Sequence, residues 1–250
     1  MKNPKSILIT GASSGIGEAL AMEYADFGIT LYISGRNQQR LNEVSAKCRT
    51  KGATVTTKVI NVTDKTQMKD WIDGITNLDL VIANAGIGKS FKSDGDIDAH
   101  VTEIFDTNLG GVFNTTHPSI EKMKKQGAGQ IALISSIAGY RGMPSAPAYS
   151  ASKVAVKGYG EALRGFYHAN NIQINVICPG FVRSRITDKN NFKMPFYMEA
   201  TRAAKIIRRD LAKNKGLITF PWQMRIIAGI AFNLVPDFIL EKMLRALPNK

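Results

Sequence analysis

Short apolar runs rich in β-branched residues alternate along this chain with longer stretches in which apolar positions recur at helical spacing. Seven runs read as strands: Ile7 to Thr10, Ile29 to Ser34, Thr54 to Ile60, Leu80 to Ala83, Gln130 to Ser135, Ile172 to Cys178 and Leu217 to Phe220. Helical stretches fall between them, at Gly15 to Phe27, Gln38 to Thr50, Lys65 to Ile72, Ala99 to Lys125, Tyr149 to Ala169 and Glu199 to Lys213. Strand and helix in alternation predict βαβ units, and right-handed crossovers then wind helices onto both faces of a seven-stranded parallel sheet. Such an α/β, doubly wound architecture gathers ligands beyond the carboxyl ends of its strands. The segments carrying candidate chemistry lie just after predicted strands.

Composition narrows the class without naming a reaction. At 250 residues the chain can bury one substantial core, so residues 1–250 are expected to form a single domain. A hydrophobic content of 44% with 21% charged residues fits a soluble globular protein, and no long polar or repetitive tract suggests disorder. The formal net charge of +13 is large enough to attract polyanions. Lys and Arg are nevertheless scattered, clustering only at Lys122 to Lys125 and Arg202 to Lys215 without a basic-aromatic motif, so nucleic acid is not expected as a partner. Cys48 and Cys178 lack disulfide or metal spacing, and His100, His117 and His168 form no spaced cluster. No metal is expected, and the setting reads as reduced and cytoplasmic. The first six residues run straight into a strand without the pattern of a signal peptide.

Chemistry enters with Tyr149 and Lys153, four residues apart and therefore on one face of a helix. A phenol with a pKa of ~10 is a poor proton donor at neutral pH, and a neighbouring ammonium stabilises its phenolate. After the first strand, the segment Thr10 to Gly17 reads TGASSGIG and opens a helix. Glycines there let the backbone approach a pyrophosphate, while the helix N-terminus offers free N–H groups and a positive dipole. Asn84, Ala85 and Gly86 follow the fourth strand. With these motifs in this order the chain resembles the short-chain dehydrogenase/reductase family over roughly residues 6 to 190. The resemblance implies a Rossmann fold and a nicotinamide cofactor held by Gly11, Ser13, Ser14, Gly15, Ile16, Gly17, Asn84, Ala85 and Gly86.

The end of the second strand bears on which cofactor. An acidic side chain there would accept hydrogen bonds from a ribose 2′-hydroxyl and repel a 2′-phosphate. This chain instead has Ser34, Gly35, Arg36 and Asn37, with a guanidinium able to hold phosphate bidentately, so NADP(H) is expected over NAD(H). Asn61, after the third strand, stands where many family members place an aspartate against the adenine amino group. Its carbonyl oxygen can accept the same bond, and Val62 is placed to pack on the ring. After the sixth strand, Pro179, Gly180, Val182 and Ser184 resemble the segment that holds the nicotinamide carboxamide, with serine where the family usually has threonine.

By the same resemblance the catalytic residues are Asn108, Ser136, Tyr149 and Lys153. Ser136 precedes Tyr149 by thirteen residues. Strand alternation sends the hydroxyl of its neighbour Ser135 the other way. The implied reaction interconverts a carbonyl and an alcohol: Tyr149 exchanges a proton with the substrate oxygen and Ser136 positions that oxygen. Lys153 lowers the tyrosine pKa and binds the nicotinamide ribose, and the Asn108 backbone carbonyl holds a water in the relay.

Phe91, Tyr140, Met143, Phe181, Phe192, Met194, Phe196 and Tyr197 form an apolar inventory for the substrate side, suggesting a hydrophobic ketone or aldehyde. Residues 185–250 are expected to supply the substrate loop and a C-terminal helical region. Its run from Ile226 to Val235 is too short to span a bilayer. It reads as a lid or subunit contact, as packing on the sheet, or, less favoured, as a peripheral membrane anchor assisted by Arg202, Lys205, Arg208 and Arg209. A homodimer or homotetramer through the helices at Ala99 to Lys125 and Tyr149 to Ala169 is implied by the family. The alternative to an enzyme is a noncatalytic NADP(H)-binding regulator on the same fold.

Overall fold

The computed structural model describes residues 1–88, 95–189, 194–236, 238, 239 and 242, with the backbone alone for 227 and 230–234. Its strands are β1 (Ser6–Ile9), β2 (Thr30–Gly35), β3 (Thr54–Val59), β4 (Leu80–Ala83), β5 (Gly129–Ile134), β6 (Ile172–Pro179) and β7 (Leu217–Phe220). They form one seven-stranded sheet in the order β3-β2-β1-β4-β5-β6-β7, and the pairings are parallel. The connecting helices are α1 (Gly15–Tyr24), α2 (Gln38–Thr50), α3 (Lys65–Asp73), α4 (Ile97–Phe105), α5 (Gly111–Gln126), α6 (Pro147–Phe166), α7 (Ala200–Ala212) and α8 (Trp222–Leu234).

The continuous apolar character of the inner strands follows from burial on both faces. In β1, Ile7 and Ile9 join one core with residues of α1, α2 and α7, whereas Leu8 points into a second core shared with α3, α5 and α6. Chain order reverses between β1 and β4, which places the switch-point crevice above their carboxyl ends.

Several boundaries differ from expectation. The first helix ends at Tyr24 because Ala25 is extended and the chain turns through Gly28 at φ +74°, leaving Phe27 exposed. The helix expected from Ala99 to Lys125 starts at Ile97, where Asp96 accepts the Ala99 N–H as an N-cap. It is then interrupted by a π-helical turn, Asp106–Gly110, before α5. Helix α6 begins at Pro147, whose missing N–H costs nothing in a first turn.

The C-terminal apolar run is helical. Helix α8 buries Met224 and Ala228 and leaves Trp222 67% and Ile226 48% exposed. Among the described residues no helix is long and apolar enough to cross a membrane. Of the basic residues assigned to an anchor, Arg208 pairs with Glu23 and lies over the Tyr24 ring, and Arg209 pairs with Asp210. Those two guanidinium groups therefore tie α7 to itself and to α1.

Candidate active site

A cleft of about 380 Å³ opens above the switch point, within the range of small-molecule sites. One wall is the glycine turn. Gly15 sits at φ +60°, and a Cβ on Gly17 would lie 2.4 Å from the Gly11 carbonyl oxygen, so the turn cannot be built with side chains there. Gly17 itself lies beneath the turn rather than on the cleft wall and lets the helix start close under Gly11. Ser14 is the N-cap of α1 but makes no side-chain capping bond, leaving the helix N-terminus to other partners.

Thr10 locks this turn to the loop after β4. Its hydroxyl oxygen accepts the Asn84 and Ala85 N–H groups at 3.1 Å each, while Asn84 Nδ2 donates to the carbonyls of Thr10 at 2.9 Å and Gly11 at 3.2 Å. The residues that follow β1 and β4 are thus tied together by four hydrogen bonds. Thr10 opens the glycine segment in the sequence, but its role in joining the two loops does not show there, because its partners are more than seventy residues away.

Gly11, Ser13, Ser14, Gly15, Ile16, Arg36, Asn61, Val62, Asn84, Ala85, Gly86, Tyr149, Lys153, Pro179, Gly180, Val182 and Ser184 all line the cleft. Asn61 Oδ1 already accepts the Thr63 N–H at 3.3 Å, leaving one lone pair for another donor. Arg40 joins the lining beside Arg36 and was missed in the sequence. It lies one turn into α2, whose N-cap Asn37 accepts the Arg40 N–H. The Arg40 Nε is buried and has no hydrogen-bond partner among the described residues.

The floor of the cleft brings together Ser136, Tyr149 and Lys153. The Ser136 hydroxyl lies near enough to the Tyr149 phenol to pull its pKa down, and Lys153 Nζ lies 5.8 Å from the centre of the Tyr149 ring. Ser135 sends its hydroxyl elsewhere, donating to the Lys153 carbonyl at 2.7 Å, as strand alternation requires. The lysine ammonium donates to the Ile134 carbonyl at 3.0 Å.

Asn108 sits behind this floor and is completely buried. Its Oδ1 accepts the Ile87 N–H at 2.8 Å, and its Nδ2 donates to the Ile87 carbonyl at 3.0 Å and to Ser152 Oγ at 3.1 Å. Ser152 in turn donates to the Tyr149 carbonyl at 2.7 Å. The π-helical turn is where this carboxamide reaches two other elements. One side chain thereby couples α6, the loop after β4 and the break between α4 and α5.

Electrostatics depart from the expected tuning. Desolvation pushes the half-buried Tyr149 phenol above its ordinary pKa, with the Ser136 hydroxyl pulling the other way, so the protein's own groups keep the phenol protonated at neutral pH. Burial also lowers Lys153 to about 8. Desolvation of both groups outweighs the depression of the tyrosine pKa that their spacing suggests.

On the substrate side, the described lining contributes Ile87, Gly88, Ile186 and Thr187 rather than the expected aromatics. Tyr140 instead hydrogen-bonds Thr219 at 2.7 Å, tying the loop after β5 to β7, and Met143 donates its N–H to Ser150 Oγ. Phe181 and Met194 do not line the cleft, and Phe196 and Tyr197 are exposed. Phe91 and Phe192 lie outside the described residues.

The comparisons with known proteins agree with this geometry. The family model described as short chain dehydrogenase matches residues 5–194. An uncharacterized oxidoreductase of Myxococcus xanthus is 32% identical over 247 residues, covering 97% of each chain. A 3-oxoacyl-(acyl-carrier-protein) reductase of Rickettsia prowazekii is 34% identical over 189 residues, covering 76% of this chain and 77% of its own. Among solved structures, levodione reductase superposes with a TM-score of 0.79 at 25% identity, covering 88% of this chain and 98% of its own. With its sheet order, its glycine turn and the Ser136, Tyr149 and Lys153 cluster in one crevice, this chain belongs to the short-chain dehydrogenase/reductase family of oxidoreductases.

Proposed function

We propose that the protein is an NADP(H)-dependent oxidoreductase that interconverts a hydrophobic ketone or aldehyde and its alcohol, with Tyr149 as the acid/base. The observation that carries this reading is the cluster of Ser136, Tyr149 and Lys153 on the floor of a cleft whose far wall is a glycine turn. A bound dihydronicotinamide supplies the hydride. Tyr149, protonated at neutral pH, donates its proton to the substrate oxygen, and Ser136 hydrogen-bonds that oxygen to hold it in line. Lys153 places a positive charge beside the phenolate left behind and offers N–H groups to ribose hydroxyls. Asn108 holds the Ile87 peptide and, through Ser152, the first turn of α6. In this reading residues 1–250 act as one catalytic domain, working in the cytoplasm as a homodimer or homotetramer.

Preference for NADP(H) is supported by two guanidinium groups and the missing acid. Arg36 and Arg40 line the adenosine end of the cleft, and a side chain on Gly35 would meet Ser13 Oγ at 2.9 Å. An acidic residue at position 35 would therefore displace Ser13. Replacing both arginines, as Arg36→Gln with Arg40→Gln, is expected to weaken NADPH binding by about 10- to 100-fold and leave NADH binding nearly unchanged. Titration calorimetry with each cofactor checks this, and tighter binding of NADH than NADPH by the parent protein would refute the preference.

An apolar substrate is supported by Ile87 and Ile186 beside Tyr149 and by relatives named for 3-oxoacyl reduction. Monitoring NADPH oxidation against aliphatic, aromatic and steroidal carbonyls tests the reaction. Cofactor binding without turnover across that panel would favour a noncatalytic regulator instead.

A further inference from the structure

We infer that Arg185 binds the diphosphate of the dinucleotide, closing over it from the side opposite the glycine turn. The inference rests on the dinucleotide-binding reading above and adds to it a residue that no motif marks.

Arg185 lies in a short turn braced from within. Thr187 Oγ1 accepts the Ser184 N–H at 2.9 Å and lies 2.9 Å from the carbonyl oxygens of both Val182 and Ser184. The Asp188 N–H donates to the Ser184 carbonyl at 2.9 Å. This bracing holds residues 182–188 in one shape, so Arg185 projects from a preorganised support.

The residues on either side of Arg185 locate it along the cleft. Ser184 lies against the glycine turn: a Cβ on Gly15 would be 3.0 Å from Ser184 Cβ. Ile186 reaches the loop after β4, its Cγ2 being 2.8 Å from where a Cβ on Gly88 would stand, and that same point is 3.8 Å from the Tyr149 ring. Residue 185 therefore sits between the glycine turn and the tyrosine. A dinucleotide with adenosine near Arg36 and its reacting ring near Tyr149 must pass its diphosphate through this interval.

Charge selects Arg185 from its neighbours. Arg183 is ion-paired with Glu199 at 3.4 Å. Arg185 is exposed, lines the cleft and has no ion pair among the described residues. The glycine turn and the N-terminus of α1 offer a diphosphate only dipoles and N–H groups. A guanidinium on the opposite side adds a full charge and bidentate geometry.

The test is calorimetric binding of NADPH, NADH, ADP-ribose and adenosine 2′-monophosphate to the parent protein and to Arg185→Gln and Arg185→Lys. ADP-ribose carries the diphosphate without the 2′-phosphate, and adenosine 2′-monophosphate the reverse. Arg185→Gln is expected to raise the Kd of NADPH, NADH and ADP-ribose by about 10-fold each and to leave adenosine 2′-monophosphate unchanged. Arg185→Lys is expected to recover most of the loss. Unchanged ADP-ribose affinity in Arg185→Gln overturns the assignment, as does an equal loss for adenosine 2′-monophosphate. Failure of the NADP(H) preference would appear separately, in the Arg36 and Arg40 double variant.

Discussion

Tyr149→Phe is expected to lower turnover by about 10²- to 10⁴-fold while leaving NADPH affinity within about two-fold of the parent, because the substitution removes only the acid/base hydroxyl. The ring remains to pack beside Gly88, so the fold has no reason to change. Ser136 keeps its bond from the Ala138 N–H at 3.1 Å. The loss should therefore fall on kcat, with little effect on the cofactor Kd. Steady-state assays on a responsive carbonyl, paired with fluorescence titration of NADPH, separate the two. Undiminished reductase activity would overturn the role assigned to Tyr149.

Lys153→Met is expected to damage both turnover and cofactor affinity, and yet to leave the protein at least as stable at pH 7. Lys153 is buried, and burial lowers it from 10.5 to about 8. Between those two values the unfolded chain binds more protons than the folded protein, so the lysine's contribution to stability rises with pH across that interval. Below pH 8 the folded state carries a buried ammonium at a cost of up to about 3 kcal/mol, and removing the lysine relieves it. The lost hydrogen bond to the Ile134 carbonyl offsets part of that relief. Thermal melts of the two proteins should thus differ most in favour of the variant near pH 7 and converge, or cross, as pH rises from 8 toward 10.5. A pH-independent difference would show that the ammonium is not destabilised by burial. In the parent, kcat/KM for NADPH, which reports groups on the free protein, should fall as pH rises through about 8.

Much of the site was legible because its parts are short and local. The glycine turn, the β4 loop and the Tyr149/Lys153 spacing each need only a few adjacent residues, and each follows from a strand end or a helical repeat. Less legible were features whose partners are distant in sequence. Asn108 could be aligned with a motif, but its carboxamide bonds to Ile87 and Ser152, 21 and 44 residues away, mark no pattern in a helix. Tyr140 reads as an aromatic near the substrate, and its hydroxyl instead finds Thr219, 79 residues further on. Arg40 sits on an ordinary amphipathic helix until α2 is seen to start beside the cleft.

By itself the sequence determined the alternating elements and the chemistry carried on single turns, because hydrophobic period and glycine placement act over a few residues. It thereby specified the parallel sheet, the phosphate-approaching turn and one helix face bearing a phenol and an ammonium. The tertiary structure decided what those groups experience. Packing α6 against β5 and β6 buries Lys153 and leaves Tyr149 half-buried on the cleft floor, and desolvation then raises the tyrosine pKa and lowers that of the lysine, against the tuning their spacing suggested. Burial is a property of the assembled layers, and no short stretch of sequence encodes it.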